Sequence, residues 1–252
     1  MQGTSGARHP VSGALALVGG DEFNPGNEEQ DRILAGAADR GPAFVVPTAA
    51  ARQKPEQSVA HATAWFKKLG LDMVELPVLK RTDANSKVLA ERARGGGLFY
   101  LVGGDPGLVV QVLESSRVWN AIFEAWIDGA ALAGSSAGAM ALCSHSLIRA
   151  SWPNRVNRRP TDALGVVPDT ALLPHFETFG HKWVESAKRE LPDTTLLGVD
   201  ERSAALWIDG EWRAAGPGAV SVIKGSKVER YTTGMKVAGL RDPVRMLPST
   251  TK

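Results

Sequence analysis

The segment "GSSAG", residues 134–138, fits the pattern G-x-S-x-G with Ser136 at its centre. This pattern bends a strand sharply into a helix and leaves the central hydroxyl exposed at the bend, where it can act as a nucleophile. Small neighbours are needed because larger side chains would clash in the turn. The context agrees: the apolar run "AALA" (130–133) precedes the motif as a strand, and "AGAMALCSHS" (137–146) follows it as a helix. Ala137 then opens that helix, where the dipole favours negative charge, so its N–H is a candidate for half of an oxyanion hole. The competing reading is a tight turn in a close-packed βα unit, with no chemistry.

A serine hydroxyl needs a base. The histidines are His9, His61, His145, His175 and His181. His9 falls in the N-terminal segment and His61 on an exposed helix face. His145 is expected on the elbow's own helix, pointing away within a few turns. His175 ends the apolar run "ALLPH" (171–175) and so reaches a strand end, with His181 following in "FGHKW". His175 is therefore the candidate base. The base in turn needs an orienting acid. The run "LLGVDE" (196–201) ends another strand with two carboxylates, Asp200 and Glu201, and the residues alone leave both open. An α/β-hydrolase runs serine, acid, histidine. That order would need Asp162 or Asp169 with His175 or His181. Serine, then histidine, then the Asp200–Glu201 pair instead places every member at a strand end.

The elements that must position these groups alternate. Short apolar runs, "ALALV" (14–18), "AFVVP" (43–47), "MVELPV" (73–78), "LFYLV" (98–102) and "AALA", are separated by helical patterns at 27–40, 56–70, 84–94, 107–115 and 117–128. Strands of this length spaced by helices predict an α/β fold: a mostly parallel sheet sandwiched by helices. After about residue 195 the rhythm changes to "LLGVD" (196–200), "SAALWI" (203–208), "EWRAA" (211–215), "AVSVI" (219–223) and "KVERYTT" (227–233). Asp209-Gly210 predicts a type I′ hairpin and Lys224-Gly225 another turn, so these strands are antiparallel. They would form either the sheet's far edge or a small second sheet. Residues 1–12 are expected to be a loose tail and 13–252 a single domain.

In a parallel sheet, ligands gather beyond the carboxyl ends of the strands. Three small-residue strand ends share that edge: Gly19-Gly20-Asp21, Gly103-Gly104-Asp105 and Gly134-Ser135-Ser136. Glycine there lets backbone N–H groups approach a ligand closely. Gly103 and Asp105 are accordingly candidate substrate contacts.

Bulk properties narrow the class. With 43% hydrophobic residues, the 252-residue chain can bury a real core. Its 29 basic residues nearly match its 27 acidic ones, so no nucleic-acid partner is implied. The densest basic run, "RVNRRP" (155–160), reads as a solvated loop first and a substrate contact second. The one cysteine, Cys143, excludes a disulfide framework and a cysteine-rich metal site. It is placed inside the helix after the elbow as a small core residue. There is no signal-peptide pattern and no run of about 18 apolar residues, so no membrane partner is expected and the default location is the cytoplasm.

Together and in order, "GGD" (103–105), "GSSAGAM" (134–140), "LLPHF" (172–176), "GHK" (180–182) and "GVDE" (198–201) resemble the aspartyl dipeptidase (peptidase E) and cyanophycinase family of serine peptidases. The likeness runs from about Gly13 to residue 223. It implies a glutamine-amidotransferase-like fold and a Ser-His-Glu triad of Ser136, His175 and Glu201, choosing Glu201 over Asp200. It adds Gly104 to Ala137 as oxyanion-hole donors. Where cyanophycinases carry glutamine after "GGD", this chain has Pro106; where they carry Asp-Gln before the histidine, it has Leu173-Pro174. These departures point toward the dipeptidase side and a small, acidic Asp-X peptide as substrate, with neither cofactor nor metal. A homodimer is the assembly left open. Arg155, Arg158, Arg159, Lys182 and Arg202 are candidates by charge for reading a substrate carboxylate. The rival readings are an esterase or amidase with the same site, and a non-catalytic ligand-binding protein.

Overall fold

The structure, a computed structural model, describes residues 12–149 and 158–247, without the side chain of Arg149. The N-terminal segment, His9 and Arg155 therefore lie outside the described residues. The first half follows the expected alternation. Strands β1 (Leu15–Val18), β2 (Ala43–Val46), β3 (Met73–Glu75), β4 (Leu98–Leu101) and β5 (Ala131–Ser135) are mutually parallel, in the order β1-β5-β4-β2-β3. Between them run α1 (Glu28–Gly36), α2 (Pro55–Lys68), α3 (Arg81–Ala84), α4 (Lys87–Arg94), α5 (Pro106–Leu113) and α6 (Arg117–Ile127). The expected helix at 84–94 is thus two. Ser86 breaks the run and caps α4, its hydroxyl accepting from the N–H of Leu89.

The strands are buried on both faces, as a covered parallel sheet requires. Alternate residues divide between two cores. Ala16, Val18, Val45, Leu98, Tyr100 and Ala133 face α1 and α2, packing with Leu34, Trp65 and Phe66. Leu15, Leu17, Phe44, Phe99, Leu101 and Leu132 face the other way, with Trp119, Trp126 and Leu113. This period of two is what fixes each strand's register.

The stretch after the elbow departs from expectation. Helix α7 (Ala137–Leu142) lasts six residues and gives way to strand β6 (Cys143–Arg149). Cys143 therefore begins a strand rather than sitting in a helix, and His145 lies on that strand. The run "CSHSLIR" alternates two-fold, and its partners decide its state. At an irregularity between Cys143 and His145, the Ser144 hydroxyl accepts from the N–H of Thr170 (2.9 Å) and donates to its carbonyl (3.0 Å), standing in for the backbone ladder. Cys143 is fully buried, which pushes its thiol up to about 12 and leaves it inert at neutral pH.

β6 belongs to a second sheet with β7 (Arg158–Asp162), β8 (Val167–Leu173), β9 (Thr195–Val199), β12 (Ala219–Lys224) and β13 (Lys227–Thr232), in the order β13-β12-β9-β8-β6-β7. Helix α8 (Val184–Glu190) connects β8 to β9, which pair in parallel. Residues 158–160, the described part of the run 155–160 expected as a loop, instead belong to the edge strand β7. Strands β10 (Ala204–Ile208) and β11 (Glu211–Ala215) extend the first sheet antiparallel beside β1. The C-terminal strands thus supply both alternatives, the far edge of one sheet and part of another. Asp209 (φ 52°) and Gly210 (φ 81°) are both left-handed, as a type I′ turn demands.

One buried acid carries a pH signature. Asp31 on α1 is fully buried, and the indole N–H of Trp65 donates to its Oδ2 at 2.7 Å. Burial, opposed only in part by that bond, pushes its carboxyl up to about 8. Between its unfolded value near 4 and about 8, the folded state holds a proton the unfolded state has lost. Stability contributed by this group is therefore present below pH ~4 and falls as pH rises toward 8. Asp31→Asn keeps an acceptor for Trp65 and removes the titration. Its melting temperature is expected to exceed that of wild type at pH 8 and to converge with it at pH 5. Parallel melting curves across that range would contradict the assignment.

Candidate active site

The strand ends of both sheets converge on one cleft of about 690 Å³, lined by Gly104, Ser136, Ala137 and His175 among others. Ser136 sits between β5 and α7 with φ 46° and ψ −109°, a conformation that costs a non-glycine residue about 1–3 kcal/mol. The chain holds it by closing around it. The Ser136 N–H donates to the Val18 carbonyl (3.0 Å), and a Cβ on Gly134 or Gly138 would strike backbone at 2.6 or 2.3 Å. Ala137 is the first residue of α7, so its N–H has no intrahelical acceptor.

His175 lies two residues beyond β8, also left-handed (φ 47°), with its N–H donating to the Gly19 carbonyl at 2.8 Å. Its Nε2 is 3.1 Å from Ser136 Oγ and its Nδ1 is 2.7 Å from Glu201 Oε1. The side chains of His175 and Glu201 are 21% and 26% exposed, so their bond is largely sheltered from water. Gly20 makes room for the ring: a Cβ there would lie 2.3–2.8 Å from three imidazole atoms. Glu201 occupies the turn between β9 and β10, fixed by the Arg202 N–H donating to the Gly20 carbonyl (2.8 Å). Its own N–H donates to the Glu177 carboxylate (2.9 and 3.1 Å).

Asp200, the other acid left open by the residues, points elsewhere. It is buried and accepts from the Ala219 N–H (2.9 Å) and Arg230 (2.8 Å), pinning β12 and β13; burial raises its carboxyl above the usual range. The other described histidines are apart from the serine. His145 contacts Ser144, His181 contacts the Phe176 carbonyl, and His61 is exposed on α2.

The candidate substrate contacts separate. Asp105 lines the cleft, but its Oδ1 accepts from the N–H groups of Gly107 and Leu108 as the cap of α5. The Gly103 N–H is already committed to Glu22 (2.8 Å). Lys182 is exposed and Arg202 pairs with Asp21 (3.3 Å); neither lines the cleft. Arg158 does, and so does Arg52, which sequence reasoning missed. The guanidinium of Arg158 lies 4.2 Å from the ring centre of Trp183, which packs on Phe179 (5.4 Å), which stacks on His175 (4.9 Å). An aromatic wall thus runs from the imidazole to a cation. The spacing "HFETFGHKW" brings these rings together only because a 3₁₀ turn at Gly180–Trp183 folds them back.

Residues 15–214 match the sequence profile of peptidase family S51. The chain belongs to that family. The S51 match bears out the resemblance read from the sequence and supports the reading of a serine peptidase. The chain is 28% identical over 166 residues to cyanophycinases of Synechococcus elongatus and Thermosynechococcus vestitus, an overlap of 63% of this chain. It spans about half the length of these curated relatives (51%). A crystal structure of a peptidase from an acI-B1 actinobacterium superposes with a TM-score of 0.79 at 30% identity, covering 91% of this chain and 98% of that one. A structure assigned to peptidase E from Listeria monocytogenes shares the fold (TM-score 0.53, 18% identity, 89% of this chain and all of that one). Among the described residues, no helix is long and apolar enough to cross a membrane.

Proposed function

We propose that the protein is a serine peptidase that cleaves small, acidic peptides of the Asp-X type through an acyl-enzyme. The observation that carries this reading is the hydrogen-bonded chain from Ser136 Oγ through His175 to Glu201, opening on one cleft. In this reading Ser136 Oγ attacks the scissile carbonyl while His175 Nε2 takes its proton. Glu201 accepts from Nδ1–H, holding the tautomer and stabilising the imidazolium. The N–H groups of Gly104 and Ala137 receive the oxyanion of the tetrahedral intermediate. Collapse breaks the C–N bond as His175 returns the proton to the leaving amine. Water, activated by the same imidazole, then releases the acid and frees Ser136.

The charge of the cleft supports the substrate class. Its lining carries two arginines, Arg52 and Arg158, against one carboxylate, Asp105, whose Oδ1 is occupied by the helix cap. That balance supports a substrate carboxylate over a basic substrate side chain. A carboxylate held by one of these arginines contributes about 1.5–3 kcal/mol. Arg52→Glu and Arg158→Glu are each expected to lower kcat/KM on Asp-X dipeptides by roughly 10- to 150-fold, while substrates with a basic first residue lose less or gain. A dipeptide library scored by first residue measures both enzyme and variants. Equal losses on acidic and basic substrates would contradict the specificity, and rapid ester turnover without peptide cleavage would favour an esterase.

A further inference from the structure

The stretch "GGDE" at the end of β1 contributes one more carboxylate than the triad uses. Glu22 reaches across two neighbouring strand ends. Its Oε1 accepts from the Gly103 N–H after β4, and its Oε2 accepts from the Ser135 hydroxyl in β5, both at 2.8 Å. The next residue after each of these partners is Gly104 and Ser136. Gly103-Gly104 has no side chain to fix its peptide planes, and Gly104 is itself left-handed (φ 146°). A Cβ on Gly103 would stand 3.0 Å from Glu22 Oε1, so glycine there is also what lets the carboxylate approach. Gly20, two residues before Glu22, accommodates the His175 ring. One short loop therefore touches the strand ends that carry the proposed nucleophile, base and oxyanion donor.

We infer that Glu22 is a positioning residue: its forked carboxylate sets the distance between the Gly104 N–H and Ser136 Oγ through their preceding neighbours. The inference rests on the serine-peptidase reading of the site. It also explains the first serine of "GSSAG": Ser135 is fully buried and serves as an anchor for Glu22 rather than as a nucleophile. The Gly103 N–H can only donate, whereas the Ser135 hydroxyl can donate or accept. Glutamine can therefore keep both contacts, its carbonyl accepting from Gly103 and its amide donating to the Ser135 oxygen; alanine keeps neither.

The test compares wild type, Glu22→Ala, Glu22→Gln and Ser135→Ala. It measures melting temperature, kcat and KM on a cleaved dipeptide, and the rate at which a fluorophosphonate phosphonylates Ser136. Glu22→Ala is expected to lose about 10²-fold in kcat and in phosphonylation rate with KM nearly unchanged, as misplacement by about an ångström does; Glu22→Gln recovers most of it. Ser135→Ala, which removes one arm, falls between at an unchanged melting temperature, and decides the matter if Glu22→Ala does not fold. Wild-type phosphonylation rates in Glu22→Ala or Ser135→Ala overturn the inference, as does Glu22→Gln being as slow as Glu22→Ala. A wild-type protein that the probe never labels would instead strike the serine reading itself.

Discussion

Ser136→Ala is expected to lower kcat for the proposed peptidase reaction by about 10⁶-fold, leaving a residual of roughly 10³–10⁴ over the uncatalysed reaction. The loss is this large because the imidazole and the carboxylate have no nucleophile to activate once the hydroxyl is gone. The residual comes from binding and from the N–H groups of Gly104 and Ala137, which the substitution leaves in place. Folding is not expected to suffer. Alanine removes a hydroxyl bonded only to His175 in the described structure, and it keeps the same left-handed backbone. A stopped assay with mass-spectrometric product detection has the range needed. Turnover within tenfold of wild type would remove Ser136 from the mechanism.

Gly20→Ala is the second large effect, and it acts by crowding the imidazole rather than by removing a reacting group. Gly20 adopts φ 129°, and an added methyl group would lie 2.3 Å from His175 Cε1 and 2.5 Å from Nε2. The ring cannot retreat freely, because Phe179 stacks on it and Glu201 holds Nδ1 at 2.7 Å. Either the imidazole leaves Ser136 Oγ or the loop after β1 shifts, and both misalign the proton transfer. A kcat loss of at least about 10² is expected, approaching that of His175→Ala. The distinguishing feature is the pattern: phosphonylation by a fluorophosphonate should slow in parallel with kcat, while KM stays near that of wild type. Full activity in Gly20→Ala would show that the ring is not confined as described.

Much of this was legible in the residues. Alternating apolar runs and helical patterns gave the parallel half of the first sheet nearly strand for strand, and Asp209-Gly210 marked its hairpin because only a few residues tolerate two left-handed positions. The elbow announced itself through obligatory small residues. His175 and the Asp200–Glu201 pair were visible as polar residues closing apolar strands, although choosing Glu201 needed the family likeness. The structure gives the physical reason for that choice: Asp200 turns inward to Arg230 and Ala219.

The second sheet was hidden for a different reason. The run from Ala137 to Arg149 has composition suited to helix and alternation suited to strand. Pairing with β7 and β8, the two strands that follow it, decides the switch at Cys143. Parallel pairing leaves no local mark. Glu22 was hidden too, since a glutamate after Gly-Gly-Asp reads as a solvated loop until the ends of β4 and β5 are brought beside it. Arg52 carried no signal of any kind; only the closing of the cleft places it on the same lining as Arg158.

The account stands most directly on the identity of the reactive atom. Peptide mapping of the protein after reaction with a fluorophosphonate measures it. One adduct is expected, on Ser136 Oγ in the folded protein, and none in His175→Ala over the same interval. An adduct on Ser135, or equal labelling of Ser136 with and without His175, would contradict the account.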